Sequence, residues 1–135
     1  MMYIAKPVIG ALLTATMFFN VASAASTHQY HKSAPSAERT QVGLYTSWKS
    51  DCIPIGGSVT MVQKPAHGTV DFAPASEVME ARYNGTTDCS GRTMDGTGIF
   101  YTSSPSFHGR DRFVVHTKAN SGPYETDVTY TIDVK

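Results

Sequence analysis

The side chains of this 135-residue sequence able to hold a metal, bridge two segments or move a proton are five histidines, two cysteines and eleven acidic residues. The cysteines, Cys52 and Cys89, lack Cys-x-x-Cys spacing and have no histidine within a few residues. A metal pair or an activated thiol therefore has no help nearby, and a disulfide is the chemistry that an even count favours in a small exported domain. Closing a loop of that length stabilises by about 4 kcal/mol, through the entropy lost from the unfolded chain. Among the histidines, His67 and His108 fall in expected turns, where a solvated ring is the default. His116 stands near the end of an expected strand, pointing to solvent or capping a backbone group. Together these three lack the ligand spacing of a zinc site. His28 carries a sharper expectation. If a leader is cut after Ala25, the mature chain begins Ser26-Thr27-His28, and its amine, two deprotonated amides and the imidazole surround Cu(II) or Ni(II) in the square plane those ions favour. Cleavage one residue earlier removes that set. The alternative function that follows is periplasmic metal handling by an N-terminal histidine tail.

The other chemistries find less. Asp88, Asp95, Asp111 and Asp127 are single acids apart in sequence, and no run resembles a dedicated calcium loop. No nucleophile elbow, His-Glu-x-x-His motif or phosphate loop is present, so the reading is of a protein that is not an enzyme and needs no cofactor. Eleven basic residues balance the eleven acidic ones. Arg39, Lys49, Lys64, Arg82, Arg92 and Lys118 are scattered singly, whereas a nucleic-acid partner calls for a basic patch or stripe.

The elements that must position these residues begin after a leader. Residues 1–24 read as a signal peptide: Lys6 gives a basic start, Val8 to Val21 an apolar core, and Ala22-Ser23-Ala24 the small residues of a cleavage site. The apolar run is shorter than the ~20 residues of a membrane span, so no anchor is expected after cleavage, and the location is secreted or periplasmic. Residues 25–38, with three Ser, two His and few aliphatic side chains, hold too little apolar surface to offset ordering entropy and read as a flexible tail. From 39 to 135, short apolar runs alternate with Gly, Pro, Asn and Asp. Strands are expected at Val42 to Thr46, Gly57 to Gln63, Thr69 to Phe72, Ile99 to Thr102, Arg112 to Thr117 and Thr126 to Val134. The last alternates Val128, Tyr130, Ile132 and Val134 against Thr129, Thr131 and Asp133, the period of a half-buried strand. Pro65-Ala66-His67-Gly68 reads as a turn, with Gly68 as its permissive residue. Residues 74–82 are open between a helical turn and an irregular crossing, and the Gly-rich run through Gly98 reads as an exposed loop anchored at Cys89. About seven strands in some hundred residues suit a two-sheet sandwich, because each amphipathic sheet must cover its apolar face.

Three of these segments form a recognisable set: Pro65-Ala66-His67-Gly68-Thr69-Val70, Tyr101-Thr102-Ser103-Ser104-Pro105 and Phe107-His108-Gly109-Arg110-Asp111-Arg112-Phe113, followed by the terminal strand. The set resembles bacterial Ig-like, or cadherin-like, modules and covers residues 57 to 135. The resemblance implies an all-β, Ig-like, antiparallel two-sheet sandwich in which Gly109 and Asp111 are architectural. Physical reading agrees: Gly109 can take the positive φ of a tight turn, and Asp111 can accept hydrogen bonds from nearby amides. Such modules often stand in tandem arrays, whereas one copy is present here with a cysteine pair of its own, which favours a small free-standing exported protein. The function expected is non-catalytic binding or structural support, with an unknown protein or glycan of the cell envelope as partner. Rigid sandwiches recognise through loops, so contacts are expected on 88–97, with Arg92 and Asp95, and on 119–124, with Tyr124.

Overall fold

The computed structural model describes residues 27–80, 83–84 and 87–135, the hairpin positions 83, 84 and 87 by their backbone alone. The strands are β1 (His28–Ala34), β2 (Thr40–Tyr45), β3 (Gly57–Gln63), β4 (Gly68–Val78), β5 (Tyr83–Asn84), β6 (Thr87–Asp88), β7 (Thr93–Ser103), β8 (Gly109–Ala119) and β9 (Glu125–Val134). Seven of them build two sheets, one of four strands in the order β1-β9-β8-β3 and one of three in the order β2-β7-β4, while β5 and β6 pair as a small hairpin. There is no helix among the described residues. The sandwich expected from the sequence is thus the fold of the chain.

Its core follows from period-two alternation. Phe113, Val115, Val128, Tyr130, Ile132 and Val134 face inward from one sheet and meet Val42, Ile99 and Tyr101 from the other. The rings of Tyr101, Phe113 and Tyr130 stack in sequence, with centroids 6.2 and 5.0 Å apart and near-parallel planes. These large side chains dominate the burial that holds the sheets together.

Four expectations change. Residues 28–34, read as part of a flexible tail, form β1, which runs parallel to β9 from His28 opposite Val128 to Ala34 opposite Val134. Backbone pairing orders this segment, with little help from burial: Ala34 is enclosed, and the Tyr30 ring lies over Tyr130 at 5.5 Å. The strand's end is tied by Ser36 N–H to Lys135 O and by Lys135 N–H to Ala34 O, both 3.0 Å. The sandwich is therefore not wholly antiparallel. Next, residues 93–98 are not an exposed loop; they begin the central strand β7, paired to both β2 and β4. Gly96 is there because a side chain would collide with the Tyr45 carbonyl across the ladder. Finally, the ambiguous 74–78 stretch continues β4, and Pro74 is tolerated because β4 is an edge strand. The expected leader, residues 1–24, and residues 25 and 26 lie outside the described residues.

Cys52 and Cys89 form the expected disulfide, with an S–S distance of 2.03 Å. Such a bridge fits an oxidising, non-cytoplasmic compartment, and no helix among the described residues is long and apolar enough to cross a membrane.

Candidate functional site

The two ends of the sandwich are built for different work. At the end where β3 turns into β4, Asp111 is 3% exposed, and its carboxylate accepts hydrogen bonds from four neutral donors. These are the Ala66, His67 and Arg112 amides at 3.0, 3.0 and 2.9 Å and the Tyr101 hydroxyl at 2.8 Å. One side chain thereby ties the 65–68 turn to β7 and β8. Gly109 has the positive φ expected of it, 135°. Gly68 serves differently from its expected turn role: a Cβ there would stand 2.5 Å from the Thr102 carbonyl oxygen and 2.9 Å from the Tyr101 ring. It allows close approach of β4 to β7. His67 is exposed, as expected, and stacks one face of its ring on Phe107 with centroids 4.2 Å apart.

The opposite end, where β1 and β9 begin and β2 and β8 finish, carries larger concavities than the one of about 280 Å³ that Met61, Pro65, Gly68 and Phe72 line at the first end. Two connections meet there, residues 46–56 and residues 120–124. The first folds into a tight hairpin through Lys49 N–H to Ile53 O at 3.0 Å and Ile55 N–H to Ser47 O at 2.8 Å. The Asp51 carboxylate caps the Ile53 amide at 3.1 Å, and the disulfide pins Cys52 to Cys89. The second is closed by Ala119 N–H to Tyr124 O at 2.9 Å. It is fastened to the first by Asn120, whose amide donates to Gly56 O at 3.2 Å and whose side chain donates to Ile55 O at 3.3 Å. Loops so satisfied hold their shape without a ligand.

Between them lies an open concavity of about 630 Å³. Trp48 and Tyr124 line it together with Ser47, Lys49, Ser50 and Ser121. It shares Thr46 with a groove of about 360 Å³ that continues along the margin between β1 and β2. That margin stays open for a reason visible in the register. His28, Tyr30 and Lys32 stand opposite Val128, Tyr130 and Ile132 and so share their inward face, yet all three remain exposed. Tyr45, Thr117, Thr126, Glu77 and Glu80, with the apolar Leu44, Val78, Met79 and Val128, complete the groove wall. Burial pushes the Tyr45 phenol above its usual pKa, so its hydroxyl stays a neutral donor and acceptor. The whole surface is rich in hydroxyls and aromatic rings.

His116, expected to meet solvent or backbone, instead joins carboxylates on the outer face of the four-stranded sheet. Its Nδ1 is 2.7 Å from Asp127 Oδ1, directly across the β8–β9 ladder, and its Nε2 is 3.6 Å from Glu125 Oε2. The Asp127 hydrogen bond, reinforced by both negative charges, raises the imidazole pKa. No group of three or more His, Cys, Asp or Glu side chains among the described residues is placed to share a metal ion. His28 opens β1, and the Ser26 of the square-planar chelate lies outside the described residues.

Of the three expected contact residues, only Tyr124 belongs to the concavity, with 74% of its surface exposed. Arg92 is in the turn that leads into β7, where its carbonyl accepts from the Met79 amide at 2.9 Å. Asp95 is on β7 and accepts from Ser76 Oγ at 2.8 Å. Neither is among the residues lining the concavity beside Tyr124. Sequence reasoning missed Trp48 and Tyr45 as site residues; the available signal was a single tryptophan close to a bridging cysteine. Comparison with protein-family models, with curated proteins and with solved structures finds no match to this chain.

Proposed function

We propose that this chain is a non-catalytic, Ig-like binding module of an exported protein, working in the periplasm or outside the cell. Its recognition surface is the end of the sandwich that carries Trp48, Tyr124 and the adjoining β1–β2 groove. The observation that supports this most is the bracing of that end: two loops hydrogen-bonded to each other and held by a disulfide surround a concavity lined by exposed Tyr124, half-buried Trp48 and serine residues. Affinity is gained when the binding conformation exists before the partner arrives. The partner is a protein or glycan of the cell envelope. The experiment is photo-crosslinking in the producing cells from a reactive group placed at Ser121, with the same group at Ser104, at the far end, as the comparison. A reproducible adduct from Ser121 and none from Ser104 is expected. Equal adducts from both, or none from either, would overturn the assignment of this end.

A further inference from the structure

The lining of the terminal concavity specifies a ligand class, an inference that rests on the recognition end proposed above. Tyr124 is the most exposed large apolar side chain among the described residues, at 74%, yet its ring is not loose. A Cβ added at Gly122, whose φ is +82°, would stand 3.1 Å from two of its ring carbons. The ring thus packs against the Gly122 backbone and offers its remaining surface outward. Half-buried Trp48 stands on the disulfide-anchored hairpin and lines the same concavity. Two aromatic rings with large apolar area and few rotatable bonds are platforms for another flat, rigid, partly apolar face.

Around the rings, Ser47, Ser50 and Ser121 supply hydroxyls, each a donor and an acceptor at once. Lys49 is the one charged residue of the lining. An anionic ligand calls for clustered cations or an arginine fork, and a protein interface calls for a broader apolar centre. A sugar ring meets both features present: its C–H face stacks on an aromatic ring, and its hydroxyls exchange hydrogen bonds with serine. The volume, about 630 Å³, lies within the range of about 300–1,000 Å³ typical of small-ligand sites. We infer that the concavity between the 46–56 hairpin and the 120–124 turn is a site for a neutral saccharide, stacked on Tyr124 and Trp48.

Trp48 is the only tryptophan of the chain, so its emission reports the site directly. The full-length protein is titrated with soluble oligomers of cellulose, chitin, starch and mannan while Trp48 emission is followed. A saturable change with at least one oligomer is expected, and Tyr124→Ala should weaken that binding about threefold to tenfold. Tyr124 is exposed, so this variant should keep its melting temperature. Trp48→Phe, followed by calorimetry, is expected to weaken binding likewise. The inference is overturned if no oligomer gives a saturable change, or if Tyr124→Ala leaves the affinity unaltered. A Ser121 photo-adduct with a protein, in the absence of saccharide binding, would remove the saccharide and leave the recognition end standing. Loss of both results would remove both.

Discussion

Asp111 has a buried carboxylate whose four partners are neutral donors, so its charge is compensated by hydrogen bonds alone. Asp111→Asn keeps the shape but turns an amide N–H₂ toward two of those donors. Removing an acceptor from buried donors costs their desolvation, and a loss of about 3 kcal/mol in unfolding free energy is expected by urea titration. Tyr101→Phe keeps the ring and removes one donor, for a loss of about 1 kcal/mol. The same contact sets a pH dependence. Burial, then the hydrogen bond to Asp111, raises the Tyr101 phenol pKa, and burial does the same to Tyr130. The folded state therefore holds these protons more tightly than the unfolded chain does. Their stabilising effect is complete below the ordinary phenol value of about 10 and is lost as pH climbs above it. Melting temperatures measured from neutral to strongly alkaline pH should fall in the alkaline range, and less steeply for Tyr101→Phe. A flat alkaline profile in the native protein would contradict the buried-phenol account.

Strands differ in how much of themselves they write into sequence. β9 was legible because Val128, Tyr130, Ile132 and Val134 all reach the core, and apolar alternation is the signature of such burial. β1 was not, since its inward positions His28, Tyr30 and Lys32 face an open groove and its order comes from the ladder to β9. The first half of β7 was hidden by its glycines, which read as loop when they mark close approach. Gly96→Ala tests this: its methyl would press on the Tyr45 carbonyl, and overpacking of this kind costs about 1–3 kcal/mol. The candidate site was half legible, through Tyr124, while Trp48 and Tyr45 join it only through contacts distant in sequence. On the β8–β9 ladder, His116 gains a proton-stabilising partner in Asp127, with Glu125 beyond it and Lys118 3.6 Å from Glu125. Its raised pKa means that the contribution is present below the unfolded value of about 6.5 and fades as pH rises through the folded value. NMR titration should place the His116 ring above that ordinary value in the native protein, and Asp127→Asn should bring it down.

Two ties of comparable size hold the molecule as one body, the disulfide at the Trp48 end of the sandwich and β1 along the flank. The bridge is worth about 4 kcal/mol by loop closure. For β1, the parallel ladder to β9 runs over seven register pairs, and with a net contribution of roughly 0.5–1.5 kcal/mol for each backbone hydrogen bond the strand contributes a few kcal/mol. A chain truncated to begin at Arg39 is therefore expected to retain the sandwich with its urea midpoint lowered accordingly. It would also acquire a new property. With β1 gone, β9 becomes an unprotected edge beside the apolar side chains of Val128, Tyr130 and Ile132, and such an edge pairs with other chains. Sedimentation velocity should show stronger concentration-dependent association for the truncated chain than for the chain that keeps β1. An unchanged midpoint with no association would mean that β1 adds nothing to the sheet. A polar strand with one enclosed alanine is explained by this protective work: its polar side chains leave the groove open, and its backbone closes the edge.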